Sequence, residues 1–466
     1  MHDNPTSNVT QADAFLRDIW TSLGGDAALP RSVLFTGDGD LPSAFAVSDL
    51  AAGCIGASGL AIAELITTRG DQRPAVHVDR RLASFWFGTT LRPIGWSTPP
   101  PWDPIAGDYA TSDGWIRLHT NAPHHREAAL AVLRTSGGKE AVTAAVSRWR
   151  SDDLETAVVE RGGCAAAMRN LAAWAAHPNG MAVAGEPLAW IDAGGAAPEH
   201  DWPMTRNRPL AGIRVLDLTR VLAGPVATRF LAGFGADVLR IDPPGWDEPG
   251  VIPEVTLGKR CARLDLRQPA GRRAFGELLA SADVLVHGYR SDALGRLGLD
   301  VAERRRIRPG LVDVSLDAYG WTGPWRGRRG FDSLVQMSAG IAAEGMRRFR
   351  TDRPKPLPVQ ALDHATGYIM AAGVVRGLTR RMTEGVGSTM RTSLARTAGL
   401  LTSAPIADRN EEFAAAGEAD FDGASEVTTW GPARRMNPPI VVEGAAMRWD
   451  HPANELGSST PHWAQR

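Results

Sequence analysis

From about residue 208 onward, short apolar runs alternate with helical segments, and this alternation constrains the fold more than any other sequence feature. Four runs have the length of buried strands: Ile213 to Asp217, Val238 to Ile241, Val284 to Val286 and Leu311 to Leu316. The stretches between them predict helices at Val226 to Gly233, Gly271 to Ala280 and Val301 to Arg308. Such alternation indicates crossover connections and a parallel sheet covered on both faces. The sequence therefore predicts an α/β fold with a Rossmann-like large domain.

The region before this alternation is less regular. A polar stretch from Pro198 to Arg208 predicts a domain boundary, and Gly107 to Gly180 has the pattern of a smaller α+β domain. Within it, the segment YATSDGWIRLHT predicts a hairpin, and Arg126 to Leu133 and Leu154 to Val159 predict helices. The chain from about Pro405 is rich in Ala, Gly, Glu and Pro, which predicts a partly extended tail.

Charge and cysteine content exclude several functional classes. Lys+Arg and Asp+Glu number 51 and 52, so no overall field attracts nucleic acid or an anionic membrane. Cys54, Cys164 and Cys261 lie far apart without a CxxC motif, which disfavours a disulfide framework or a zinc site. Cys54 and Cys164 lie among Ala and Gly, which favours small buried apolar side chains at these two positions. Met1 to Pro5 lack the basic and apolar regions of a signal peptide. We expect a soluble cytoplasmic protein that spans no membrane and binds no nucleic acid.

A turn at Thr219 to Pro225 follows the first strand of the large domain. It lies at the carboxyl end of that strand, where open α/β sheets bind ligands. The turn lacks the GxGxxG pattern that allows close approach of a pyrophosphate. A dinucleotide-dependent oxidoreductase is therefore a minor alternative.

Asp363 follows the extended segment LPVQAL and precedes HATG, which predicts a position at a helix N-terminus. As an N-cap it would accept backbone N–H bonds and add about 1 kcal/mol of stability. As a nucleophile it would attack a thioester, with nearby N–H groups stabilising the oxyanion. The local sequence alone favours the cap. For the neighbouring His364, a surface or first-turn histidine is favoured over an acid–base role.

An internal similarity links Asp363 to Asp49, 314 residues earlier. The segment AVSDLAAGCIGASGLAIAEL parallels QALDHATGYIMAAGVVRGL, so that Gly53 matches Gly367 and Gly59 matches Gly373. A strand-like run follows each segment. Two unrelated helices rich in small residues are the alternative explanation.

Several segments follow one another in order between about Pro209 and Leu401, including PLAGIRVLDLTRVLAGPVATRFLAGFGADVLRID, RPGLVDVSLDAYGWTGPWRGRRGFDSLVQMSAG and LPVQALDHATGY. Together they resemble the family III CoA transferases, relatives of formyl-CoA transferase and the carnitine CoA transferases. The resemblance implies that Asp363 attacks an acyl-CoA donor to form a mixed anhydride and then an aspartyl-CoA thioester, which the acceptor carboxylate attacks in turn. On this basis we expect coenzyme A as a substrate, with no permanently bound cofactor and no metal.

The resemblance also implies six contacts with CoA. Three line the CoA channel: Arg220, Val221 and Ala223. Three lie near its nucleotide end: Lys259, Arg260 and Arg296. The basic side chains suit phosphate groups, although an ordinary surface role is open for each. The sequence departs from the family at Gly288, where relatives often have Asn, and at Asp317, where some have Lys. These departures put the adenine and phosphate contacts in doubt.

Related acyl-CoA racemases place a histidine before the aspartate of the GFD segment as a proton-transfer base. Here that position is Phe331, which favours CoA transfer over racemisation. An acyl-CoA racemase or isomerase remains an alternative, as does a non-catalytic CoA-binding remnant.

The order of segments differs from that of typical family members. The resemblance divides the chain into four regions. Residues 1–104 form a partial large-domain segment with the Asp49 helix, and residues 105–200 form a small α+β domain. Residues 208–400 form a Rossmann-like CoA-binding domain, and residues 401–466 form a tail that packs back on the large domain. The simplest explanation is a fusion of two family copies, the first without its Rossmann part and the second without its small domain. Asp49 is then a vestige or a structural cap. Family members form interlocked dimers, so both a homodimer and a monomeric pseudo-dimer are open.

Overall fold

The computed structural model describes residues 10–197, 202–290, 293–405 and 412–464. The N-terminal segment Met1 to Pro5, the first part of the expected boundary and the first part of the expected tail lie outside these ranges. Over the described residues the fold is mixed α/β, with a large, mostly parallel sheet and three smaller sheets, so the predicted fold class is confirmed.

The strands, in chain order, are β1 (Val33–Thr36), β2 (Val76–Asp79), β3 (Leu91–Pro93), β4 (Gly107–Ala110), β5 (Trp115–Leu118), β6 (Ala165–Ala167), β7 (Trp190–Ala196), β8 (Arg214–Leu218), β9 (Asp237–Asp242), β10 (Lys259–Arg263), β11 (Val284–His287), β12 (Val312–Asp317), β13 (Val386–Ser393), β14 (Glu426–Thr428), β15 (Gly431–Arg435) and β16 (Ile440–Val442). The α-helices are α1 (Gln11–Ser22), α2 (Val47–Thr67), α3 (Arg80–Trp86), α4 (Pro123–Leu133), α5 (Lys139–Val146), α6 (Ser151–Glu160), α7 (Leu171–Ala176), α8 (Pro178–Ala184), α9 (Ala223–Gly233), α10 (Ile252–Val255), α11 (Pro269–Ala280), α12 (Ala293–Arg296), α13 (Val301–Ile307), α14 (Asp332–Ser338), α15 (Ile341–Phe349), α16 (Ala361–Glu384) and α17 (Leu394–Ser403).

The large sheet has the strand order β10-β9-β8-β11-β12-β13-β7, in which only β7 is antiparallel. The four predicted strands and three predicted helices of this region are confirmed, with ends that differ by a few residues. The order reverses between β8 and β11, so the chain leaves these two strands in opposite directions across the sheet. Such a reversal opens a crevice at the carboxyl ends of the strands.

Helix α16 crosses the sheet as the central helix of the core and packs on both α2 and α9. Its contact with α9 is close, because a Cβ atom at Gly367 would lie 2.4 Å from the carbonyl oxygen of Ala223. Helix α2 is long and apolar enough to cross a membrane, but 89% of its most apolar window is buried inside the protein. Its apolar composition is explained by this burial in the core.

The segment before residue 94 is built like the part of the large domain around α16. Helix α2 connects the parallel strands β1 and β2, as α16 leads into β13 beside the parallel β12. A Cβ atom at Gly53 would lie 2.9 Å from the carbonyl oxygen of Ala12 in α1, which is the same kind of close approach as that of α16 to α9. The two similar helices meet where the Ser58 hydroxyl donates to the carbonyl oxygen of Tyr368 at 2.8 Å.

The predicted hairpin and both predicted helices of the small α+β region are present as β4, β5, α4 and α6. The tail contacts both parts of the chain. Strands β15 and β16 pair with β3 and β2 of the N-terminal segment. The Trp449 indole N–H donates to the carbonyl oxygen of Arg229 in α9 at 2.9 Å. The tail therefore joins the N-terminal segment to the large domain.

Candidate functional site

A cleft of about 430 Å³ lies at the carboxyl ends of β8, β11 and β12, where the strand order reverses. The turns after these strands form one wall, and the segment that leads into α14 and the start of α4 form another. Asp363, in the first turn of α16, is at the base of the cleft. The site therefore combines residues that are far apart in the chain.

Asp363 is the third residue of α16, which confirms the predicted place at a helix N-terminus. Its residue surface is 7% exposed. The N-cap is Gln360, and no side chain caps the helix from that position, so the cap role that the local sequence favours for Asp363 is wrong. Instead, Asp332 supplies the acceptor, because the Asp363 N–H donates to Asp332 Oδ2 at 2.9 Å.

Asp332 and Asp363 form a buried pair of carboxyl groups. Burial, and secondarily the negative charge of Asp332, raise the pKa of Asp363 well above its usual range. Burial likewise raises the pKa of Asp332 to about 6, against the opposing effect of the backbone N–H of Asp363. Two like charges this close in a poorly solvated site resist simultaneous ionisation, so the pair retains a proton more readily than two separate carboxyl groups.

The turn after β8 adopts an unusual conformation at the edge of the cleft. Val221 has φ +63°, which a β-branched residue rarely adopts. Its N–H donates to Glu248 Oε2 at 2.9 Å, and Glu248 is itself paired with the buried Arg240. This fixed carboxylate compensates for the strain and sets the direction of the turn.

Arg220, next in this turn, is held against two aromatic rings. Its guanidinium carbon lies 4.6 Å from the centre of the Trp246 ring and 5.3 Å from that of Tyr289. The guanidinium also donates to the Tyr289 hydroxyl at 3.1 Å. Stacking fixes the orientation of the cation while leaving donors for an anion.

The structure brings four of the expected site residues together in the cleft: Arg220, Val221, Ala223 and Asp363. Arg296 is exposed, one turn beyond Ala293, which lines the cleft.

Two expected phosphate contacts lie elsewhere. Lys259 is fully buried beneath the sheet edge, and its Nζ donates to Asp217 Oδ2 and to the carbonyl oxygen of Pro225, both at 3.0 Å. Arg260 forms a two-pronged ion pair with Asp237 on another surface. The expected position of Lys259 and Arg260 at the nucleotide end of this cleft is therefore wrong. The positive charge of Lys259 neutralises the buried carboxylate of Asp217, and that of Arg260 pairs with Asp237 on the neighbouring strand.

Sequence reasoning missed three polar side chains of the site or did not assign them a role: Asp332, Asp317 and His125. Asp317 ends β12 and lines the cleft, and burial raises its pKa to about 7 although the backbone N–H of Tyr319 opposes this. The signal for Asp317 was present, since it departs from the family pattern. His125 is on α4, which the sequence assigned to a separate domain.

The residues next to the carboxyl pair in the sequence, Phe331 beside Asp332 and His364 beside Asp363, are held by contacts between aromatic rings. Phe331 stacks on His119 with ring centres 3.7 Å apart and meets His125 edge-on at 5.9 Å. His364 lies in the first turn of α16 as expected, but it is buried and stacks on Phe87. Burial lowers the pKa of His364 to about 3, so this ring is neutral and the surface interpretation is wrong.

Asp49 occupies the third position of α2, as Asp363 does in α16. Its setting is different, because Arg80 Nε donates to Asp49 Oδ1 at 2.8 Å and the pair is buried. No side chain caps α2 from its N-cap Ala46, so the structural role of Asp49 is an ion pair and not a cap. Within the described ranges, no group of three or more His, Cys, Asp or Glu side chains is arranged to hold a metal ion.

Comparison with known proteins shows a similarity that is centred on the large domain. Residues 210–429, just under half of the chain, match the model of CoA-transferase family III. The succinyl-CoA:glutarate CoA-transferase of Mus musculus is 34% identical over 39% of this chain and 44% of its own. The formyl-CoA:oxalate CoA-transferase of Bradyrhizobium diazoefficiens is 30% identical over 45% and 52%.

A crystal structure of Rv3272 from M. tuberculosis is 29% identical, with a TM-score of 0.38 over 42% of this chain and 58% of that one. The chain spans about a third to a half of the length of the curated relatives that it matches.

Proposed function

We propose, because residues 210–429 match the model of CoA-transferase family III, that this protein transfers coenzyme A from an acyl-CoA donor to a carboxylic acid, with Asp363 as the nucleophile. The observation that carries the proposal is the position of Asp363. It is a carboxyl group at a helix N-terminus, buried at the base of a cleft that forms at the switch point of a parallel sheet.

The proposed reaction has four exchanges at Asp363. Its carboxylate attacks the thioester carbonyl of the donor, which forms a mixed anhydride and releases CoA thiolate. The thiolate attacks the aspartyl carbonyl, which releases the donor acid and leaves an aspartyl-CoA thioester. The acceptor carboxylate attacks that thioester, and the released thiolate then attacks the acceptor's acyl carbonyl. The new thioester leaves, and Asp363 is again a carboxylate.

The environment of Asp363 supports this role. A carboxylate with a raised pKa is a better nucleophile than an ordinary one once it is deprotonated. The adjacent Asp332 receives the Asp363 N–H, which fixes the first turn of α16. We propose that Arg220, Val221 and Ala223 form the CoA channel, and that the stacked guanidinium of Arg220 contacts an anionic group of CoA.

Trapping of the intermediate tests the proposal. The protein is incubated with a panel of acyl-CoA thioesters and then with hydroxylamine or borohydride, and the modified peptide is identified by mass spectrometry. The expected adduct is on Asp363 and is absent in Asp363→Asn. Asp49→Asn is the matched control, because it removes a carboxylate at the same helix position outside the cleft, and the adduct should persist. A folded wild-type protein that forms no adduct with any thioester would refute the transferase.

Two other functions predict different results in the same experiment. A racemase or isomerase exchanges the α-hydrogen of the thioester with deuterium from solvent and transfers no CoA. A non-catalytic remnant binds CoA without either reaction. Phe331 disfavours the first, because it occupies the position of the expected base with an apolar ring.

We also propose that the chain is a fusion of two family copies that folds as a monomeric pseudo-dimer. The support is the shared construction of the two halves: α1, β1, α2, β2 and α3 correspond in order to α9, β12, α16, β13 and α17. Asp79 and Ser393, again 314 positions apart, both cap the following helix. The mass in solution tests the proposal, and a monomer near 49.8 kDa that retains transferase activity is expected. Activity confined to a dimer would contradict it.

A further inference from the structure

The start of α4 forms part of the cleft that contains Asp363. His125 is the third residue of this helix, and Pro123 is the first. The N-terminus of a helix carries partial positive charge, and no side chain caps α4 from its N-cap Ala122. The small α+β region therefore presents a weakly positive helix end to a cavity whose base is a carboxyl group.

His125 gives this helix end a specific ligand group. The residue is only 4% exposed, yet neither ring nitrogen has a hydrogen-bond partner among the residues that the structure describes. Buried polar atoms are nearly always paired, and an unpaired one at a cavity wall indicates a ligand that completes the pairing. The ring is positioned by packing on Phe331 and on His124, whose ring centre is 4.1 Å away.

The electrostatics of the cleft suit an anion at this place. Burial, followed by the charges of His124 and Arg329, lowers the pKa of His125 to about 3, so the free ring is neutral and offers one N–H donor. Arg329 also lines the cleft. Asp317, at the end of β12, is an acidic group on the other wall of the cleft, but burial raises its pKa to about 7, which reduces its repulsion of an anion.

We propose that His125 and the start of α4 form the subsite that binds the carboxylate of the acceptor acid. The His125 ring donates a hydrogen bond to one carboxylate oxygen and so holds the acceptor against the activated carbonyl of Asp363. This inference rests on the proposed transferase function. The phosphates of CoA are the other source of an anion, but the pantetheine arm separates them from the thioester that reacts at Asp363, and His125 lines the same cavity as that residue.

A binding experiment tests the subsite without any catalysis. Histidine ring signals of the ¹⁵N-labelled protein are followed by NMR during titration with acetate and succinate, and separately with adenosine 3′,5′-bisphosphate. The carboxylates should shift one ring signal that is missing in His125→Gln, and the bisphosphate should not. A shift that persists in His125→Gln, a shift by the bisphosphate alone, or no histidine shift at all would each overturn the inference.

Kinetics supply the second readout. Loss of a hydrogen bond to a charged group should raise the KM of the acceptor by about 10-fold or more in His125→Phe. Adduct formation between the acyl-CoA donor and Asp363 should stay within about 2-fold, because that step involves no acceptor. His77→Gln, at an exposed histidine on β2, is the matched control and should change neither value.

If His125→Phe impaired acceptor binding and adduct formation equally, His125 would only support the fold. The more conservative His125→Gln and its melting temperature test this, because a purely structural role would lower both the stability and the rate of adduct formation. If the wild-type protein forms no Asp363 adduct, the transferase proposal fails, while the NMR titration still decides whether His125 binds a carboxylate.

Discussion

Replacement of Asp317 by asparagine should leave the stability of the protein nearly unchanged at low pH and raise it at high pH. Burial raises the pKa of Asp317 to about 7, so the folded protein holds this proton more tightly than the unfolded chain does. The folded state therefore loses stability as pH rises from about 4 to about 7. Each pKa unit corresponds to about 1.4 kcal/mol, so ionisation of Asp317 costs the folded protein about 4 kcal/mol at about pH 8.

Asparagine removes this titration at a small cost. The Tyr319 N–H donates to Asp317 Oδ1 at 2.9 Å, and an amide satisfies such donors less well than a carboxyl group, at a cost of about 1 kcal/mol. Asp317→Asn should thus be equal to or slightly less stable than the parent at about pH 4. It should be more stable by about 3 kcal/mol at about pH 8.

Urea unfolding across this pH range measures the difference, with tryptophan fluorescence as the probe, since the chain has 15 tryptophans. The matched control is Asp352→Asn, because the side chain of Asp352 is 95% exposed and its removal should give a difference that is nearly independent of pH. If the stability difference for Asp317→Asn were the same at both ends of the range, the carboxyl group would titrate normally and the account of a desolvated cleft wall would be wrong.

Three further substitutions test the packing and the ion pairs. Gly367→Ala should push α16 away from α9 and cost about 1–3 kcal/mol of unfolding free energy in urea titrations, and it should slow formation of the Asp363 adduct because that residue is one turn away. Lys259→Met leaves Asp217 buried without its cation, so a loss of about 3–5 kcal/mol is expected in the same titration, with CoA affinity by calorimetry unchanged. Asp49→Asn should cost about 2 kcal/mol, because the amide oxygen can still accept from Arg80 but the negative charge that strengthens this bond is lost, while the rate of adduct formation stays at the parental value.

The large domain could be predicted from the sequence because its strands are apolar runs of the right length between amphipathic helices. Strand β10 was not predicted, because its sequence KRCAR begins with two basic residues and is not an apolar run. A lysine in a sequence predicts an exposed position. Lys259 can be buried here because its Nζ donates to Asp217 of β8. That pairing depends on the tertiary fold, and the family resemblance that placed Lys259 at a phosphate site does not reveal it.

The candidate site was predictable where one turn or one helix start defines it, and unpredictable where distant segments meet. Arg220 to Ala223 follow a strand directly, so the general rule for parallel sheets places them correctly. His125 precedes Asp363 by more than two hundred residues, and a histidine pair at a helix start carries no functional signal of its own. Asp332 was visible in the GFD segment, but its role depends on the meeting of the starts of α14 and α16.

The comparison of Asp49 with Asp363 shows how neighbours decide the chemistry of one helix position. Both are buried third residues of long helices of small residues, so their backbones offer the same dipole and the same N–H groups. Asp49 meets a cation, because Arg80 of α3 donates to it and closes the space beside it. Asp363 meets another carboxyl group and lines a cleft, so burial and the neighbouring negative charge raise its pKa and favour its protonated form. Arg80 follows β2, whereas the corresponding residue after β13 is Leu394, so this one difference removes the cation that pairs with the first aspartate.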